Sequence, residues 1–179
     1  METKNIKRFL EQIAKEIVAG AKKNLTADKG STKLEGTIRA EVVSDDKGFT
    51  TKFYMDNYGA YLDEGVSGNK KPQNFKDYKG TTRISSHKYT TKGPPIDIIS
   101  KWIKKKGIEP KGLGRGRSKK SGQYISGFAY LISRKIKRDG IKSLSFFQQP
   151  LGVGYEKIKE KLLKELKIDV TNYIVAYTK

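Results

Sequence analysis

Residues 124–151 read YISGFAYLISRKIKRDGIKSLSFFQQPL, and the way this stretch divides decides the fold class. Ile125, Phe128, Ala129, Ile132 and Ile136 recur at steps of three and four, which places them in one apolar stripe of an α-helix. Arg134, Lys135, Lys137 and Arg138 crowd its last turn, where the negative end of the helix dipole favours cations. Asp139-Gly140 stops the helix, because glycine readily takes the left-handed conformation of a helix C-cap. Ser145-Phe146-Phe147-Gln148-Gln149-Pro150-Leu151 then reads as a short irregular segment with two adjacent aromatics. Adjacent side chains diverge, so Phe146 and Phe147 are expected on two surfaces, one the domain's own core and the other a neighbouring subunit. This points to an assembly protein.

Toward the N-terminus, Ile6, Phe9, Leu10, Ile13, Ile17 and Ala21 form a second helical stripe, with Glu11 and Lys15 paired on its polar side and an end near Asn24. A basic amphipathic helix can lie on a membrane, but packing on the domain's own sheet is the commoner use of such a face and is expected here. Thr37–Ser44 (TIRAEVVS) and Phe49–Met55 (FTTKFYM) flank Asp45-Asp46-Lys47-Gly48, which predicts an antiparallel hairpin. Ile38, Ala40 and Val42 give it one apolar face. Pro94-Pro95 introduces a third helix carrying Ile96, Ile99, Trp102 and Ile103 and ending at Gly107. Val153, Tyr155, Ile158, Leu162 and Leu166 mark a fourth, with Glu160 and Lys164 on its polar side, and Thr171–Tyr177 (TNYIVAY) reads as a closing strand. The fold class is therefore α+β: a single domain over residues 1–179, its small antiparallel sheet packed by amphipathic helices, with long basic loops or arms.

Two segments are the arms. Residues 67–92 show no core periodicity and carry seven basic residues against one acid, Asp77. A loop of that length in a compact domain is usually functional or ordered by a partner. The part reading TTRISSHKYTT has the content of a hairpin arm that forms on a neighbour. Residues 111–122 read KGLGRGRSKKSG and match neither GxGxxG nor GxxxxGK[ST], so a nucleotide cradle is unsupported. Arg115, Arg117, Lys119 and Lys120 in this loop suit contact with DNA phosphates, or with an acidic partner, without sequence readout.

The 179 residues carry a net charge of +19, and 35% of them are hydrophobic against 32% charged. Enough chain is present to bury roughly two-thirds of its unfolded surface, with polar surface to spare. Residues 101–142 hold 14 basic residues and two acids, so the charge is concentrated and an anionic partner is expected rather than a merely soluble surface. The absence of cysteine excludes disulfides, and the single His87 removes the clusters from which zinc sites are made. No cofactor is expected. Neither a membrane span nor a signal peptide is expected from the apolar runs.

Asp56, Asp63 and Glu64 lie close together after the hairpin. Paired acids can bind metal or move protons, but Asp63 and Glu64 are neighbours that point apart, so a short helical turn closed by Gly65, its acids solvated or paired to a basic neighbour, is the expectation. Asp97, Glu109 and Lys111 resemble a metal-dependent nuclease set only loosely, since Pro110 interrupts the strand such a site needs.

Three blocks in order resemble the neck and tail-completion proteins of long-tailed bacteriophages. These are YGAYLDEGVSG (residues 58–68) after a hairpin, PPIDIISKWIKKKGI (94–108) and GFAYLISRKIKRDGIKSLSFFQQPL (127–151). The resemblance implies an α+β subunit without catalytic activity. It forms a ring from copies of itself, sixfold or twelvefold, in the virion neck, between the portal or connector and the tail-tube proteins. By position, Tyr58, Tyr61, Leu62, Glu64 and Gly65 correspond to the first motif, and Phe146, Phe147 and Leu151 to the last. All but Gly65 are the candidate assembly interface. The basic insertions at 67–92 and 111–122 depart from the family pattern and leave a tail terminator as the alternative, with a free, non-specific nucleic-acid-binding protein as the competing class.

Overall fold

The computed structural model describes residues 4–29, 33–45, 48–108, 115–117 and 124–177. It is α+β, with two-stranded antiparallel sheets among six helices in the described residues. In chain order these are α1 (Lys4–Lys29), α2 (Lys33–Thr37), β1 (Arg39–Asp45), β2 (Gly48–Tyr54), α3 (Tyr58–Asp63) and β3 (Val66–Ser67). There follow β4 (Asn74–Lys76), β5 (Thr82–Ile84), α4 (Ile96–Lys105), β6 (Arg115–Arg117) and β7 (Tyr124–Ser126). The chain closes with α5 (Gly127–Asp139), β8 (Gly140–Ile141) and α6 (Gln148–Tyr177). The chain divides into two compact units. The first comprises Met1–Asp63, Lys76–Arg83 and Leu144–Lys179, the second Glu64–Phe75 and Ile84–Ser143.

In the first unit α1 and α6 run antiparallel: Gly20 meets Pro150, Gly154 meets Ile17, and Glu16 pairs with Lys157 at 2.6 Å. Small residues make this approach possible, since a Cβ on Gly154 would collide with the Ile17 side chain. The predicted stripe of α1 is the buried one, but the helix runs past Asn24 because Leu25, four residues after Ala21, is also fully buried. The hairpin is as expected, with Ala40 opposite Phe53 and Val42 opposite Thr51. Its half-buried Phe53 packs on a core of Ile13, Ile17, Leu25, Leu34, Ile38 and the aromatic pair.

That pair corrects the first expectation. Phe146 is fully buried and Phe147 nearly so, in one core of their own chain, with Phe147 edge-on to Phe53 at 5.3 Å between ring centroids. The two rings themselves lie in a turn, between Ser145 at a left-handed φ of 46° and the start of α6. A divergence rule that holds along a regular element does not hold within such a turn. Gln148, Gln149 and Pro150 are the first turn of α6 rather than irregular chain. Proline fits there because early helical N–H groups have no intrahelical acceptor.

Three further expectations change. Thr171–Tyr177 is not a strand but the end of α6, where a helix already formed propagates more easily than a new strand begins. Ile125 lies in β7, opposite Gly116 of β6, so the α5 stripe starts at Phe128. Trp102 and Val153, expected in apolar stripes, are exposed.

The core of the second unit is smaller. Ile99 and Ile103 of α4 meet Ala129 of α5, with Ile96, Phe128, Ile132 and Ile136 around them. Gly140 ends α5 at φ 81°, and any Cβ on it would overlap the Val66 carbonyl, since β8 crosses β3 at this point. The segment 67–92 is held by its own chain. Ser85 Oγ donates to the Gly65 carbonyl at 2.6 Å, Tyr89 N–H to Ser67 O at 2.8 Å and Ser85 N–H to Gln73 O at 2.9 Å. The strand expected in TTRISSHKYTT is β5, and its partner is β4 of the same chain rather than a neighbour's strand.

Candidate functional site

The predicted interface residues separate into three groups. Tyr58 and Tyr61 of α3 are 43% and 47% exposed. Leu62 and Leu151 are half-buried against the first unit's core, which Phe146 and Phe147 complete. Glu64 accepts hydrogen bonds from Ser86, at 2.7 Å from Oγ and 3.4 Å from N–H. Only the two tyrosines present large surfaces outward.

Asp63, expected to be solvated or paired to a cation, is buried. One carboxylate oxygen accepts the Phe147 N–H at 2.8 Å and the Gln148 N–H at 3.4 Å, while the other accepts Gln148 Nε2 at 3.0 Å. An acid from α3 thus satisfies donors at the start of α6, where the positive end of the dipole favours it. Asp169 does the same for α1, accepting Asn5 N–H at 3.2 Å, Ile6 N–H at 3.0 Å and Asn5 Nδ2 at 2.8 Å. Asp63 is therefore a structural acid.

The described cations form a different site from the one expected. Lys119 and Lys120 lie outside the described residues. Arg115 and Arg117 belong to a backbone ladder, opposite Ser126 and Tyr124. The cations of α5 instead line a cleft of about 630 Å³ in the second unit, where Lys70 joins Arg134, Lys135, Lys137 and Arg138 around Leu131. Backbone bonds fix Lys70 there: Asn69 N–H donates to Lys137 O at 2.9 Å, and Lys70 N–H to Arg138 O at 3.1 Å. Gln73 Nε2 takes the next carbonyl, Asp139 O, at 2.6 Å. Arg138 holds Asp139 at 2.8 Å. That hydrogen bond lowers the Asp139 carboxyl below its ordinary value, burial opposes it, and the charges of Arg138, Lys135 and Lys71 add to the lowering. The sequence offered the four helical cations as partners of a dipole and as part of the charge gathered over residues 101–142. Lys70 was invisible because its placement depends on a contact across more than sixty residues.

Of the nuclease set, Asp97 lies in the first turn of α4, while Glu109 and Lys111 are outside the described residues. Among the described residues no three His, Cys, Asp or Glu side chains gather to hold a metal, and no helix is long and apolar enough to cross a membrane. Comparison with protein families, curated proteins and solved structures finds no match for this chain.

Proposed function

We propose that this chain is a structural virion protein of a tailed bacteriophage, one subunit of an oligomeric ring in the neck that joins the portal or connector to the tail. The observation that carries the self-assembly part is on α6. Leu163 (74% exposed), Leu166 and Val170 lie at steps of three and four and make an apolar face left open to solvent. Soluble monomers rarely expose contiguous apolar faces of this kind, and those that do commonly use them for association. Tyr58 and Tyr61 add exposed aromatic surface of the type that interfaces favour. The resemblance of residues 58–68, 94–108 and 127–151 to neck and tail-completion proteins supplies the phage assignment, with a tail terminator as the alternative.

Mass photometry of the purified chain tests the reading. The expected species is a closed ring of six or twelve subunits. Leu163→Ser with Val170→Ser should give single subunits that melt as the parent does. A parent chain that stays a single subunit at tens of micromolar would count against self-assembly. Absence from purified virions in infected cells would count against the phage role.

A further inference from the structure

We propose that the cleft between α5 and residues 69–71 binds the phosphodiester backbone of nucleic acid, without reading its bases. This inference stands apart from ring formation. The ordinary explanation of cations at a helix C-terminus is that they satisfy its last carbonyls and its dipole. Here the carbonyls of Lys137, Arg138 and Asp139 are already taken by two backbone N–H groups and the Gln73 amide. Among the described residues only Arg138 of the five cleft cations is in an ion pair. Lys70, Arg134 and Lys135 are exposed, and Lys137 is half-exposed. Positive charge is therefore gathered, held by backbone hydrogen bonds at its base, and left for something outside the chain.

The character of the cleft selects the class of ligand. A small anion would need enclosing donors, whereas these heads are solvated and lie along one helical face. An acidic protein would need an apolar centre to bury, and the cleft offers Leu131 alone. A phosphate backbone asks only for exposed cations at intervals, and it releases counterions on binding. Arginine adds a planar fork suited to phosphate oxygens. Among the described residues that line the cleft, Asn69 alone could read base edges in the manner of Asn, Gln or Glu, so sequence preference is not expected.

Fluorescence anisotropy of the full chain with a short labelled duplex, over a range of salt, provides the test. Kd should lie at about 1–100 µM near physiological salt, as for non-specific binders. Lys70→Gln, Arg134→Gln and Lys135→Gln together should flatten the slope of log affinity against log salt by about 2–3, at about 0.9 per lost contact. The melting curve should not change. A control with Lys101→Gln, Lys104→Gln and Lys105→Gln on α4 removes the same charge and should keep the parental slope. If the cleft variant fails to fold, Arg134→Gln and Lys135→Gln made singly should each lower the slope by about 0.9. Equal losses in cleft and control variants would overturn the site in favour of diffuse charge. No duplex binding by the parent, or a more than tenfold preference among duplex sequences, would overturn it too. Binding to polyglutamate that is lost in the cleft variant while duplex binding persists would assign the cleft to an acidic protein instead.

Discussion

Among the described residues, eight buried apolar side chains meet in the core of the first unit, Phe146 and Phe147 among them, while the core of the second gathers three, Ile99, Ile103 and Ala129. The second unit relies on close backbone crossings in compensation. Gly65, Gly68 and Gly140 all lie where a Cβ would strike main-chain atoms, and short hydrogen bonds tie residues 67–73 to residues 85–89. Apolar burial contributes through area and tolerates partial repacking. A backbone crossing contributes through geometry and tolerates almost none. The two units should therefore fail under different substitutions.

The largest effect is expected at Phe146. Phe146→Ala should cost about 3–5 kcal/mol, because a fully buried ring leaves both lost contacts and a cavity. Ile103→Ala should cost about 2 kcal/mol, the low end for such changes, since fewer neighbours surround it. Denaturant unfolding of both variants measures the difference. Equal costs would break the comparison.

Asp63→Ala comes next. It strands the Phe147 N–H and the Gln148 amide, at about 1–3 kcal/mol for buried donors without acceptors. Asp169→Ala should cost less, about 0.5–2 kcal/mol, as loss of a helix cap does. Chemical denaturation ranks the pair, and hydrogen exchange should show the Asp169 loss as fraying confined to the first turns of α1. Exchange spread over the whole first unit would mean that Asp169 does more than cap.

The smallest effect concerns pH. Asp77 closes the tip between β4 and β5, accepting Lys79 N–H at 3.0 Å, Thr81 N–H at 2.9 Å and Arg83 Nε at 2.7 Å. Burial raises its carboxyl, but the bonds from Thr81, Arg83 and Lys79 outweigh this and hold it below the ordinary value of 3.8. A group lowered in the folded state stabilises above its unfolded value, and that contribution fades as pH falls through the folded one. Protection of the Lys79 and Thr81 amides, taken relative to their intrinsic exchange rates, should therefore fall only below about pH 4. Loss of that protection near neutrality would point to another group.

What could be read from the chain was local. The stripes of α1 and α5, the Asp45–Gly48 turn and the stop at Gly140 each depend on residues within a few positions. Asp63 and Asp169 act on donors 84 and 164 positions away, so nothing near them in sequence announces a cap. Thr171–Tyr177 misleads for the opposite reason: its β-branched and aromatic content favours a strand, but the helix before it carries through. Lys70 reaches the cleft cations only because Gly68 and Gly140 let two segments of backbone touch. The interface residues divide for the same cause, since Phe146 and Phe147 are buried by distant segments that hold Ile17, Leu34 and Phe53.

The clasp between Asp169 and the first turn of α1 has a consequence for how the polypeptide is made. Every residue of the second unit is synthesised before residue 144 is added, whereas α1, which precedes them all, lacks both its capping acid and its main packing partner until α6 emerges. Contacts of such long sequence separation form late. The second unit can thus mature during translation, while the first waits for α6 and exposes the apolar face of α1 meanwhile. Speed of translation through residues 144–177 sets how long that interval lasts.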